Sequence, residues 1–456
     1  MRKIFLATLA VMIAFSILAG CTGAPASQGT TAAAATTAAA TAAQTTQAAA
    51  TTEAPKAASV IRFMTWEGET MNNAILDTFD VFMKDNPDIK VELEPSPLTD
   101  YGIKLQEMLA AKIAPDVFMA GNDMALNYDF EGLVLDLKSY MDTDKGFSEN
   151  FYPGTLTTYT RDGRIVGLPG LINLYGYFYN KKYFDEAGLT YPKRDWTYDD
   201  FFMYAEALSD KATNRAGIFQ KGHAAFICSL YSASKDDTPF TDSIYPVTQV
   251  YASNSFKEGV SRMAEAIKAG YVTSPTVDDA NVTANFMQGA IPMLRYGQWA
   301  ADEIIRNAPE DLDWGFVPSP RVNKNAQILD AVGWCINVET ADPEAAFQVL
   351  KFIESETYKV VLAQTPVAPP AYQPAASGYY DILGEKGHSD LAEGLDYMLD
   401  AEIKVPVRFL DSWSSKANLF LDADWNAFIT GDKDVNEIQS AIIDPINEVI
   451  QDAMNG

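Results

Sequence analysis

The sequence predicts an α/β fold, an open sheet with helices on both faces, and three observations carry that prediction. Strand-like and helical runs alternate from residue 60 onward. Apolar residues recur every second position in the first kind of run and near every 3.6 in the second. Helix-start residues stand where the periodicity changes from one to the other.

The elements follow in order. Val60-Ile61-Arg62-Phe63-Met64-Thr65-Trp66 is rich in β-formers and reads as a strand. Ile75, Leu76, Phe79 and Phe82 then fall at helical spacing, and Ile89, Val91 and Leu93 alternate with Lys90, Glu92 and Glu94 as in a strand buried on one side. A helix around Leu105, Met108 and Leu109 precedes a short strand over Asp116–Ala120 and a loop, Gly121-Asn122-Asp123. Such a β-α-β-α-β series favours an open sheet whose ligands sit beyond the carboxyl ends of the strands. Trp66, Glu67 and the Gly121–Asp123 loop are thereby expected at one edge. A second block opens near residue 175 with the strand Tyr175–Tyr179. Thr197 followed by Asp200 reads as a capping box. Asp342-Pro343-Glu344 has the N-cap, N1 proline and early acid of a helix start, with Phe347, Leu350 and Ile353 as the inner face. No internal repeat is visible.

Composition narrows the function. Hydrophobic residues are 48% and charged ones 21% of the 456, an ordinary globular balance. With 34 Lys+Arg against 61 Asp+Glu the net charge is −27, so nucleic acid is no expected partner, because phosphate binding needs a basic patch. Anionic headgroups are disfavoured for the same reason. His223 and His388 are the only histidines and three cysteines make no disulfide framework. The acidic run Asp422-Ala423-Asp424-Trp425-Asn426 starts like a calcium loop but has Ala427 in place of the turn glycine and Lys433 in place of the closing acid. No metal or cofactor is therefore expected.

Arg2 and Lys3 precede a largely apolar run, Ile4 to Ile17, too short to span a bilayer stably, so residues 1–20 read as an export signal. Leu18-Ala19-Gly20-Cys21 resembles the lipobox of bacterial lipoproteins, which implies lipidation at Cys21 and a protein held at the extracytoplasmic face of the cell membrane. A plain secretory signal with an incidental cysteine is the alternative. Residues 21–58 are expected to be a disordered tether, since 27 of the 38 residues from Thr22 to Ser59 are Ala or Thr and none is Leu, Ile, Val, Met or aromatic.

Taken together, Val60–Glu94, Ala114-Pro115-Asp116-Val117, Gly163–Leu189 with its run from Tyr179 to Leu189, Asn285–Ala290 leading to Gly297-Gln298-Trp299, and Gly333-Trp334-Cys335-Ile336-Asn337 resemble the extracellular solute-binding proteins of family 1, the maltose-binding-protein-like receptors of ABC sugar importers. The resemblance covers nearly all of residues 60–456. It implies a type II periplasmic-binding-protein-like fold: two α/β lobes joined by three hinge crossovers, near Leu171–Tyr175, Asp330–Gly333 and Thr365–Ala368. Lobe 1 would comprise residues 59–172 and 333–366, lobe 2 residues 173–332 and 367–456. It further implies a monomer without catalytic residues that binds a saccharide between the lobes and hands it to membrane permease subunits. Cys228 and Cys335 then fall in different lobes and are expected to be buried free thiols.

A sugar cleft wants aromatic faces for C–H groups and carboxylates or amides for hydroxyls. The candidates are Trp66, Glu67, Asn122, Asp123, Tyr175, Trp299, Trp334 and Trp413. Each has a plainer alternative. Asp123 also fits the N-cap of the next helix, Glu67 an ordinary solvated acid, and Trp299 and Trp334 core tryptophans. Tyr175 and Tyr177 share the first crossover, where at least one serves packing. Two other function classes stay open on sequence, a surface glycoside hydrolase built on the same residue types and a peptide or other-solute receptor.

Overall fold

The computed structural model describes residues 58–220, 224–236, 253–274, 277, 280–405 and 414–455. Two sheets organise it. The first has the order β2-β1-β3-β12-β6, formed by β1 (Ser59–Thr65), β2 (Ile89–Pro95), β3 (Val117–Gly121), β6 (Leu168–Asn173) and β12 (Asp330–Ile336). Strands β1, β2 and β3 are mutually parallel, and β12 runs antiparallel between β3 and β6. The second has the order β10-β7-β9-β8, from β7 (Tyr175–Asn180), β8 (Ile218–Gln220), β9 (Met293–Gly297) and β10 (Trp314–Val317). Two minor pairs complete the set, β4 (Thr160–Arg161) with β5 (Arg164–Ile165), and β11 (Ala326–Ile328) with β13 (Ile403–Val405).

Local signals account for many of these elements. The central strand β3 is buried from Val117 to Ala120, as a strand covered on both faces must be, while the edge strand β2 begins buried-exposed-buried-exposed. Thr197 and Asp200 make both bonds of the capping box, and Asp342 accepts from the Ala345 amide with Pro343 in the first turn. Phe347, Leu350 and Ile353 are all buried. The helix Glu69–Asp85 buries Met71, Ile75, Phe79 and Phe82 but leaves Leu76 exposed, because one residue past Ile75 turns it about 100° off the buried stripe.

Period-2 alternation divides the second sheet between two cores. Phe178, Leu294 and Phe316 join the apolar cluster of the first sheet, while Tyr177, Tyr179, Met293 and Val317 join a separate cluster with Phe184, Trp196 and Phe201.

The chain leaves the first sheet through single residues at two points. Leu174 alone separates β6 from β7 of the second sheet, and Leu329 alone separates β12 from β11 of the minor pair with β13. Gln298 clamps the first passage: its Oε1 accepts from the Leu174 amide at 2.8 Å, its Nε2 donates to the Ile172 carbonyl at 2.9 Å, and its own amide donates to the Leu174 carbonyl at 2.9 Å. The expected third crossover at Thr365–Ala368 is corrected. The segment that follows stays on the first sheet, with the Ile172 amide bonded to Pro369 and the Ala371 amide to Gly170, because prolines without N–H groups can still accept at a strand edge. The chain reaches the second sheet later, where Asp390 of the helix Ser389–Leu399 accepts from the Phe316 amide of β10 at 3.2 Å.

Cys335 is a buried free thiol, held protonated by burial. The Cys228 side chain, Cys21 with residues 1–57, and Trp413 lie outside the described residues. Among the described residues no helix is long and apolar enough to cross a membrane.

Candidate functional site

The strand register aims two edges at the same place. Asp330 of β12 pairs with Asn173 at the end of β6, and Val332 with Gly121 at the end of β3. The carboxyl ends of β1 and β3 therefore point toward the end of the first sheet from which Leu174 leads into the second. There β7 starts at Tyr175, paired with Gly297 at the end of β9.

The second edge carries an aromatic platform. Trp299 is half-buried at the start of the helix Ala300–Asn307, and its six-membered ring occupies the space a side chain on Gly297 would fill: a Cβ there would lie 2.1 Å from the ring. The glycine of Gly297-Gln298-Trp299 is thus what lets the ring lie against the sheet. Tyr175, also half-buried, meets Trp299 edge-on at 5.1 Å and 87°, and Tyr296 meets it at 5.5 Å. Tyr177, two residues on, is 1% exposed against Trp196 and Phe201 and serves the core.

The first edge supplies polar groups. Trp66 is half-buried and braced edge-on at 4.9 Å by Tyr101, whose hydroxyl donates to the Met119 carbonyl. Glu67 follows; its amide donates to Thr65 Oγ1 and its carbonyl accepts from Asn72 Nδ2. Burial pushes the Glu67 carboxyl up to about 7, so near neutral pH it both donates and accepts. On the neighbouring strand β3 no loop intervenes. Gly121 is itself the N-cap of the helix Asn122–Phe130, which corrects the N-cap reading of Asp123 and places that half-buried residue in the first helical turn, where a carboxylate is favoured by the helix dipole. Asn122 is buried, and its Oδ1 accepts from the Asp123 amide.

Trp334 is removed from the candidate set. Its ring is 1% exposed, lies 4.6 Å from Phe63, and its indole N–H donates to Tyr358 Oη at 3.0 Å. Alternation along β12 turns it into the first core, away from the edge. Tyr175 and Trp299 are brought together, and Trp66, Glu67, Asn122 and Asp123 end adjacent strands. Sequence reasoning missed Gln298, Gln220 and Arg295; a charged residue inside the apolar run Met293-Leu294-Arg295-Tyr296 was the signal for the last. No cluster of metal-ligating side chains occurs among the described residues.

Two α/β sheets joined by a short crossing, with aromatic and acidic residues at their strand ends, define the class of two-lobed type II solute-binding proteins. Comparison with known proteins agrees. The profile described as bacterial extracellular solute-binding protein matches residues 77–378, and the chain belongs to that family. An ABC transporter extracellular-binding protein of Pyrococcus horikoshii is 22% identical over 305 residues, 65% of this chain and 68% of that one. Among solved structures, an ABC substrate-binding protein of Listeria monocytogenes in complex with cycloalternan superposes with a TM-score of 0.69 at 22% identity, over 86% of this chain and 99% of that one. The sugar-binding protein MalE of Xanthomonas citri gives 0.70 at 17%, over 87% and 100%. Membership implies a solute-binding role outside the cytoplasm.

Proposed function

We propose that this chain is the saccharide receptor of an ABC importer, tethered to the extracytoplasmic membrane face through a lipid on Cys21 and delivering its ligand to membrane permease subunits. The observation that carries the saccharide reading is the Trp299–Tyr175 platform seated on Gly297. A half-exposed aromatic pair offers an apolar face to the C–H groups of a pyranose, while Glu67, Asn122 and Asp123 suit its hydroxyls. The sugar-bound Listeria protein and the Xanthomonas sugar-binding protein, which share the fold, support the same reading. We place residues 59–172 and 333–366 in lobe 1, extended to Tyr372, and residues 173–332 and 373–456 in lobe 2, and we take Leu174 and Leu329 as the points about which the lobes close on ligand.

A thermal-shift screen over neutral and acidic mono- and oligosaccharides tests the proposal. Ligand at 100 times its dissociation constant stabilises by about 2.7 kcal/mol, a readily measured shift. Absence of any shift across the panel, with shifts from peptides instead, overturns it. The raised Glu67 carboxyl also suits a general acid. Incubation with the bound oligosaccharide is expected to return it intact, and cleavage products would move the protein to the hydrolase class.

A further inference from the structure

A cavity of about 410 Å³, within the range of small-molecule sites, shares no residue with the aromatic platform or with the edge of the first sheet. Three separated stretches of chain build it. Asp195 stands ahead of the capping box at Thr197, while Arg321, Asn323 and Asn325 come from the connection between β10 and β11. Tyr397, at the end of the helix Ser389–Leu399, and Asp400 and Glu402, ahead of β13, complete the lining. Asn325 is 9% exposed and fixes the floor. Its amide donates to Glu402 Oε1 at 3.1 Å, its Nδ2 to the Tyr397 carbonyl at 2.8 Å, and its Oδ1 accepts from Gln327 Nε2 at 3.0 Å. Asn325 immediately precedes β11 and Glu402 immediately precedes β13, and these strands are parallel. The cavity therefore caps the end of the minor pair opposite Leu329, about 13 Å away along the strand. Every lining residue lies in lobe 2, so a ligand there is held without closure.

The lining carries both signs of charge, which limits what fits. Arg321 Nη1 donates to the Asn323 carbonyl at 3.1 Å, and its Nη2 stands 3.9 Å from Asp195 Oδ2. An anion would face the carboxylates of Asp195, Asp400 and Glu402, and an organic cation would face the guanidinium. Among the described residues the acids form no cluster able to hold a metal ion. An apolar molecule would strip water from polar groups and return no hydrogen bonds to them. The unused groups point elsewhere. Among the described residues the Tyr397 hydroxyl, the Asp400 carboxyl and Glu402 Oε2 take no hydrogen bond, so with Arg321 they offer acceptors and donors side by side. A ligand rich in hydroxyls, each a donor and an acceptor, matches that mixture. The half-buried Tyr397 ring matches the C–H face of a sugar.

We propose that this cavity is a second saccharide site, separate from the interlobe cleft, which takes a neutral sugar against Tyr397 with its hydroxyls on Arg321, Asp400 and Glu402. It stands on its own lining and goes beyond the cleft reading, so either site can fail alone.

The test is calorimetric titration of the full chain with glucose, maltose, maltotetraose and mannitol, with Trp299→Ala and Tyr397→Ala beside the wild type. At least one probe is expected to bind in two events. One of them should survive Trp299→Ala and be weakened about 10-fold or more by Tyr397→Ala, as for loss of a stacking ring. Should Tyr397→Ala fail to fold, Asp400→Ala, at an exposed position, should weaken the same event. A second event untouched by both variants, or a single event lost with Trp299→Ala, overturns the second site and leaves the cleft reading standing. A single event that survives Trp299→Ala and falls with Tyr397→Ala keeps the cavity and overturns the cleft reading. If none of the four probes binds, the second site is overturned, and the wider saccharide screen decides the cleft alone.

Discussion

Replacing Glu67 by glutamine probes the edge of the first sheet through its proton. Burial raises the Glu67 carboxyl from 4.5 to about 7. The folded protein therefore holds a proton that the unfolded chain releases, and the sign follows. Stability from this group is fully present below pH 4.5, declines as pH rises through the window, and is lost above about 7. A shift of two and a half units corresponds to an upper bound of about 3 kcal/mol. The side chain keeps some exposure, so water screens part of it and about 1–2 kcal/mol is the expected penalty. Glutamine has the same shape and no titration. Urea denaturation followed by circular dichroism should find wild type and Glu67→Gln about equally stable at pH 4, with the variant about 1–2 kcal/mol more stable at pH 8. A difference that does not change with pH would refute the reasoning, since it would mean that Glu67 titrates as a solvated carboxyl.

Four further outcomes are expected. Trp299→Ala should weaken binding of the identified sugar by about 1–3 kcal/mol by calorimetry, with its melting temperature little changed; Gly297→Ala should do the same by displacing the ring its Cβ would strike. Gln298→Leu removes two bonds to the first passage and leaves the Leu174 amide and Ile172 carbonyl unpaired, so a loss of about 1–3 kcal/mol per group in denaturant melts is expected, and unchanged stability would deny it the clamping role. Glu354, fully buried with neither oxygen bonded among the described residues, has its carboxyl raised well above the ordinary range by desolvation; Glu354→Met should stabilise, more at pH 8 than at pH 5, because the penalty on the wild type grows as pH rises above the unfolded value. Cys21→Ser should release the protein from membranes in fractionation, and a variant that stays membrane-bound with its signal removed would refute the lipid anchor.

Local elements are decided by neighbours along the chain. The Thr197–Asp200 capping box, the Asp342–Pro343 helix start and the alternation in β2 depend on bonds and burial within a few residues, so composition and period suffice to locate them. The motif Gly297-Gln298-Trp299 marked a stacking residue, though not the reason for its glycine. Tertiary structure decided the rest, because strand pairing joins residues whose separation in sequence carries no signal. Trp334 enters the core only once β12 is inserted between β3 and β6. Gln298 becomes a clamp only when β9 delivers it to a crossing more than a hundred residues earlier in the chain. Gln220, Arg295 and Tyr177 form one polar row only in the register of three strands, since a one-residue slip would send each side chain to the opposite face of the sheet.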